Sequence, residues 1–254
     1  MLATIRKHHE EIQRIQVSCR FMEEVILDTG IDRSKVFLIP IGVNRRYFTP
    51  TSPERKVEVR KLLGIPRDAF VIGSFQKDGN GWGEGLEPKL VKGPDIFLQT
   101  LEILKADIPA LHVLLTGPAR GYVIAGLERL SIPYTHRLLD DYTDIGRYYH
   151  ALDAYIISSR DEGGPKAVLE SMASGVPLIS TKVGQATDLI SHGENGFLAN
   201  IEDSEALAHW TTKAIQDSTS RKAIIENGLI TAAEHDYDNQ LMQWKAFMSG
   251  FIDT

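Results

Sequence analysis

Ala154-Tyr-Ile-Ile157, Arg160-Asp-Glu-Gly-Gly-Pro-Lys-Ala-Val-Leu-Glu170 and Ser171-Met-Ala-Ser-Gly-Val-Pro-Leu-Ile-Ser180 follow one another almost without a break, and their reading decides the fold. A short apolar run gives way to polar residues, and Gly163-Gly164 marks a turn. Pro165 then stands where a helix should begin, a place where its missing N–H costs nothing. The helix predicted over Lys166–Ala173 ends at Gly175, and Pro177–Ser180 opens a second apolar run. Strand, turn, helix and strand in such close order are the repeating unit of an α/β sheet.

Working outward, the same alternation recurs. Apolar runs at Phe70–Phe75 and Leu111–Leu115 are bounded by Gly, Pro or charged residues, and helices are predicted at Asp95–Lys105, Val123–Leu130 and Ile145–Ala151. Glu205–Ile215 and Arg221–Glu234 continue the helical pattern. Uninterrupted apolar strands belong in a parallel sheet covered on both faces, so the expected fold is a doubly wound, Rossmann-like α/β sheet. Ahead of it, Met1–Gln16 reads as an amphipathic helix, Phe21–Leu27 as a second helix, and Val36–Ile39 as a buried strand. Asp78–Pro88 carries four glycines around Trp82 and is expected to be a mobile loop at the carboxyl edge of the sheet. The expected division is a helical remnant or linker at 1–34, the Rossmann-like domain at 35–234, and a C-terminal helix at 235–254.

Composition narrows the functional classes. With 254 residues, 43% hydrophobic and 24% charged, the chain can bury a full core. A net charge of −6 without any long basic run argues against a nucleic-acid partner. The single cysteine, Cys19, forms no internal disulfide, which suits a reducing, cytoplasmic setting. No apolar run reaches membrane-spanning length, so contact with a membrane is expected only peripherally, through a partner domain. No metal-ligand spacing is visible, and Asp140-Asp141 reads as helix capping.

The chemistry concentrates around the Gly163-Gly164 turn. Backbone donors at Gly163, Gly164 and Lys166 at a helix start favour an anionic or hydroxyl-rich ligand. Glu162 precedes that helix and Glu170 lies within it, a spacing that taken alone fits solvated capping or dipole-pairing residues better than a site.

The longer pattern is more specific. Glu162-Gly163-Gly164-Pro165, Glu170-Ser171-Met172-Ala173-Ser174-Gly175-Val176-Pro177, Val183-Gly184-Gln185 and Asn195-Gly196 resemble the donor domain of retaining glycosyltransferases of family 4, the C-terminal half of a GT-B architecture. Ser171 and Gln185 stand where Ala and a second Gly are usual. Ile39-Pro40-Ile41-Gly42-Val43-Asn44 and Phe48-Thr49-Pro50 are similar to the entry into that domain. The resemblance implies that Glu170 binds ribose hydroxyls and that Glu162, the catalytic candidate, faces the transferred sugar. It further implies that Lys92 of Lys92-Gly93, with Lys77 in place of an arginine, holds the diphosphate. Gly117 and Leu138 would lie near the nucleotide, and Gly163, Gly164, Pro165 and Lys166 would complete the donor site. The implied reaction is retaining sugar transfer from a nucleotide sugar without a metal or other cofactor, with the acceptor-binding half largely missing or supplied by a partner chain.

Other classes fit less well. The Gly-x-Gly-x-x-Gly spacing of a nicotinamide enzyme and the Gly-Lys-Ser/Thr of a P-loop are absent. A sugar-nucleotide epimerase ranks next, and a donor-binding subunit inactive by itself stays open as the alternative.

Overall fold

The computed structural model describes residues 1–251. Six parallel strands form the main sheet: β3 (Phe70–Ser74), β4 (Leu111–Thr116), β5 (Tyr134–Arg137), β6 (Ala154–Ile157), β7 (Leu178–Thr181) and β8 (Phe197–Ala199). Their spatial order is β5-β4-β3-β6-β7-β8. A separate parallel pair, β1 (Ile15–Val17) and β2 (Val36–Leu38), precedes them. The helices, in chain order, are α1 (Leu2–His8), α2 (Arg20–Leu27), α3 (Pro53–Leu63), α4 (Pro94–Asp107), α5 (Gly121–Arg129) and α6 (Ile145–Tyr149). There follow α7 (Ala167–Ala173), α8 (Ala186–Leu189), α9 (Ser204–Gln216), α10 (Ser218–Glu234) and α11 (Tyr237–Met248).

Alternating side chains on each strand build two cores, one per face. Val71, Leu114, Tyr155 and Leu178 point toward α3, α6 and α7, whereas Ile72, Leu115, Ile156 and Ile179 point toward α4, α5 and α9. This is why the central strands read as largely apolar runs. Strand order reverses between β3 and β6, and the crevice beyond the carboxyl ends of those two strands is where open α/β sheets place ligands.

Several expected elements move. The helix expected at Met1–Gln16 is only Leu2–His8, because Ile15–Val17 pairs with Val36–Leu38 instead. The strand expected at Val36–Ile39 therefore forms, but beside the N-terminal segment and outside the main sheet. Helix α3 had no apolar stripe to announce it; its boundaries come from Ser52, whose Oγ accepts from Arg55 N at 3.2 Å, from Pro53, and from Gly64 in the left-handed region.

The Asp78–Pro88 insert, expected to be mobile, is tied down at its base. Buried Arg120 donates to Asp78 and to the carbonyls of Ser74 and Thr116 at the ends of β3 and β4. Gly121 N and Tyr122 N donate to Glu84 O and Gly85 O, and Asn80 N to Glu87 O. Gly85, at φ 74°, lies so close to Ala119 that a Cβ there would come within 2.3 Å of its backbone. Only the tip projects, carrying Trp82 at 84% exposure.

The C-terminal helix crosses back to the N-terminal pair of strands. Phe247 packs edge-on against Phe37 at 5.4 Å, and Arg14 donates to the carbonyls of Phe247 and Ser249 at 2.6 Å. Leu241, Met242 and Phe251 remain exposed, so the apolar segment expected at Leu241–Ile252 is partly self-packed. Its last residue, Ile252, lies outside the described residues, as do 253 and 254. Among the described residues no helix is long and apolar enough to cross a membrane.

Candidate functional site

A cleft of about 280 Å³ opens at the carboxyl ends of β3 and β6. Phe75 and Gln76 enter it from the end of β3, Lys92 from the connection to α4, and Glu162, Gly164, Pro165, Lys166 and Glu170 from the turn after β6 and from α7. Tyr142 and Ile145 close the remaining side. Two cationic and two acidic side chains thus meet at the topological switch point.

Lys92 is placed by the backbone around it. Gly93, at φ 61°, passes so close to β6 that a Cβ would lie 1.9 Å from Ser158 O. Arg160 binds Asp95 through two bonds of 2.8 and 2.7 Å and also donates to Leu90 O, joining the loop after β6 to the loop before α4. The Arg160 hydrogen bonds hold the Asp95 carboxyl below the usual range. Across this bracket Lys92 Nζ donates to Glu162 Oε1, which also accepts from Ser159 Oγ at 2.9 Å. Gln76 Nε2 donates to Lys92 O at 2.9 Å.

Glu170 sits deeper, 6% exposed, with Tyr142 donating to its Oε1 and Tyr149 to its Oε2 at 3.1 Å. Burial pushes its carboxyl above the ordinary value, and the two phenols oppose that shift by favouring the ionised form. Burial likewise pushes the Tyr149 phenol up. Lys166 Nζ lies 5.2 Å from the centre of the Tyr142 ring, a cation–π distance.

The Gly163-Gly164-Pro165 turn is held from below by Gln185. Its Oε1 accepts from Ile41 N at 2.8 Å, its Nε2 donates to Pro165 O at 3.2 Å, and its own N–H donates to Gly163 O at 3.1 Å. Ser18 Oγ donates to the same Gly163 carbonyl at 2.9 Å, so Gly163 supports the turn without lining the cleft.

Three further expected donor-site residues lie outside the cleft. Lys77 points away from the cleft, its ammonium 3.7 Å from the centre of the Trp82 ring, while its neighbour Gln76 takes the inward place. The electron-rich indole face of the insert attracts that ammonium outward. Gly117 adopts φ 85° and accepts from His136 Nε2 at 2.8 Å, outside the cleft. Leu138, 68% exposed, lines a separate groove of about 620 Å³ with Trp82 and Leu86. Sequence reasoning missed Gln76, Tyr142 and Tyr149, because an amide in the bend after a strand and aromatic side chains on helical turns carry no spacing signal that separates a site from a core. Asp141 does cap, as expected: its Oδ1 accepts from Thr143 N at 2.8 Å. Among the described residues no group of three or more His, Cys, Asp or Glu side chains is gathered as a metal site.

The sequence profile of the glycosyl transferases group 1 family matches residues 86–230, more than half of the chain and the whole of this cleft from Lys92 onward. The chain belongs to the glycosyl transferases group 1 family. It is similar to the D-inositol 3-phosphate glycosyltransferase of Corynebacterium urealyticum, 26% identical over 233 residues that cover 85% of this chain and 52% of the relative. The lipopolysaccharide core biosynthesis mannosyltransferase LpsB of Rhizobium meliloti is 27% identical over 231 residues, covering 85% of this chain and 62% of LpsB. Among solved structures, Anabaena HepE in complex with UDP-glucose superposes with a TM-score of 0.78 at 22% identity, over 93% of this chain and 64% of HepE. The last match shows the fold: this group 1 chain has the parallel, Rossmann-like sheet of a GT-B domain. It spans about half to three-fifths of the length of the curated relatives it matches.

Proposed function

We propose that this chain supplies the nucleotide-sugar site of a retaining GT-B glycosyltransferase. The observation that carries the reading is the convergence of Lys92, Lys166, Glu162 and Glu170 in one cleft at the strand-order reversal. Cleavage of the bond between an anomeric carbon and a diphosphate develops negative charge on the leaving phosphate, and fixed cations stabilise that charge. Lys92 and Lys166 are the cations at hand. Lys92 is already ion-paired with Glu162, so an arriving diphosphate draws the ammonium toward itself and leaves the Glu162 carboxylate to accept from sugar hydroxyls. Glu170 has the two oxygens needed to accept from a pair of vicinal ribose hydroxyls. Lys77, Gly117 and Leu138 have no part in this cleft as it stands.

Acceptor recognition is assigned to a further domain or partner chain, since the matched relatives extend well beyond the aligned region. The cytoplasm, where sugar nucleotides are made and where buried Cys19 stays reduced, is the proposed location, with any membrane contact made through that partner. A thermal-shift panel of UDP, GDP and ADP with their sugar conjugates tests the reading. A ligand at a hundred times its Kd adds about 2.7 kcal/mol of stability, a clear rise in melting temperature. Absence of any shift across the panel at millimolar concentration would refute a nucleotide-sugar site.

A further inference from the structure

Both oxygens of Glu170 accept a hydrogen bond from a phenol, and the two phenols differ in kind. Tyr149 belongs to the core: it is fully buried, stacks on Tyr155 at 5.3 Å and meets Phe75 edge-on at 4.9 Å. Tyr142 does not. It is 52% exposed and stands on the three-residue 3-10 turn Tyr142–Asp144, which has no buried residue. Its ring has a single aromatic neighbour among the described residues, Phe48 at 6.5 Å. Yet its hydroxyl reaches down to Glu170 Oε1, and its ring holds the Lys166 ammonium. One half-exposed side chain therefore engages the two groups in the cleft that a nucleotide needs, a carboxylate oxygen for ribose and a cation for phosphate.

We propose that Tyr142 is a built-in competitor for the nucleoside diphosphate: its hydroxyl holds the place of a ribose hydroxyl on Glu170, and it swings out as the nucleotide seats. This rests on the donor-site reading given above. Binding then exchanges one hydrogen bond to Glu170 for another, so the ribose contact yields less net affinity than a vacant carboxylate would give. The same movement releases Lys166 from the ring, which couples recognition of the ribose to recognition of the diphosphate. A short 3-10 turn without buried side chains is the kind of segment that opens at small free-energy cost. The opposite role, a fixed partner that orients Glu170 for the ligand, predicts the opposite sign on removal of the hydroxyl.

Tyr142→Phe decides between them, since it keeps the ring beside Phe48 and Lys166 and removes only the competing hydroxyl. Calorimetry on the full chain with UDP, GDP, ADP and their nucleosides should show that whichever of them binds the wild type binds Tyr142→Phe about three- to tenfold more tightly. Tyr142→Leu, which also uncovers Lys166, should gain more for the diphosphate than for the nucleoside. Unchanged or weaker binding by Tyr142→Phe overturns the competitor role while leaving the donor site standing. Failure of all the nucleotides to bind the wild type overturns the donor site and the competitor together.

Discussion

Asp153 offers the sharpest test of what holds the sheet beneath the cleft. It follows α6 and precedes β6, and its side chain is only 12% exposed. Lys56 Nζ and Arg60 Nη2 each lie 2.6 Å from its carboxylate, and Val71 N of β3 donates to it at 2.8 Å. Burial alone would raise the carboxyl, but the Lys56 and Arg60 charges outweigh it and hold Asp153 below its usual value. Asp153→Ala leaves the Arg60 guanidinium, 8% exposed, with only backbone carbonyls, and leaves an N–H of the central strand unpaired. Breaking a buried pair in this way costs about 3–5 kcal/mol, or roughly 6–20 °C in Tm for a domain of this size. Urea unfolding followed by circular dichroism at several pH values measures it. A folded-state carboxyl held low contributes stability that is full above the unfolded value near pH 4 and is lost as pH falls through the folded value. The gap between wild type and Asp153→Ala should therefore be constant at pH 6–8 and shrink below about pH 4. A loss under 1 kcal/mol at pH 7, or a gap that does not shrink in acid, would refute the argument.

Further outcomes concern the cleft. Lys92→Ala should weaken a nucleoside diphosphate by about 1.5–3 kcal/mol while leaving the nucleoside nearly unaffected, and equal losses by calorimetry would remove Lys92 from the phosphate site. Glu170→Ala should weaken nucleoside and diphosphate alike, and unchanged affinity would end the ribose role. Because burial raises the Glu170 carboxyl, nucleotide affinity should begin to fall with acidification at a pH above the ordinary carboxylate range, and titrations that stay flat down to pH 4 would contradict ionised Glu170 as the acceptor. Donor binding should be the same with EDTA present, since lysines and not a metal neutralise the phosphates; a requirement for Mg²⁺ or Mn²⁺ would count against that assignment.

How much of this was legible in the sequence depends on which interactions set each element. The strands at Ala154–Ile157 and Leu111–Thr116 were readable because burial on both faces favours apolar side chains, with His112 and Thr116 the buried polar exceptions. Helix α3 was not, because it presents Pro-Glu-Arg-Lys-Val-Glu-Val-Arg-Lys over its first nine positions and buries Arg60. That arginine is inside only because Asp153, ninety-three residues later, is there to receive it. The partnership of β1 with β2 was hidden for a similar reason: three-residue strands carry no period, and only tertiary pairing fixes them.

The same distinction separates the parts of the site. Glu162, Lys92 and Glu170, proposed as donor-site residues, share one cleft because each falls within a motif whose turn or helix fixes where its side chain goes. Lys77 lies outside the cleft because the insert between it and Lys92 changes what its neighbourhood offers: the indole of Trp82 supplies a partner there, and a charge goes to the partner it has. Tyr142 shows the converse. Its position was legible through Asp141, whose side chain caps the turn, but its role was not, because that role exists only in relation to Glu170 twenty-eight residues on. A residue that competes with a ligand needs no motif of its own; it needs only to reach the same acceptor from a segment loose enough to leave. The cleft divides its labour accordingly, with Arg160, Gln185 and Tyr149 fixing the loops and the carboxylate that line it and Tyr142 covering the charged groups from a turn without buried residues.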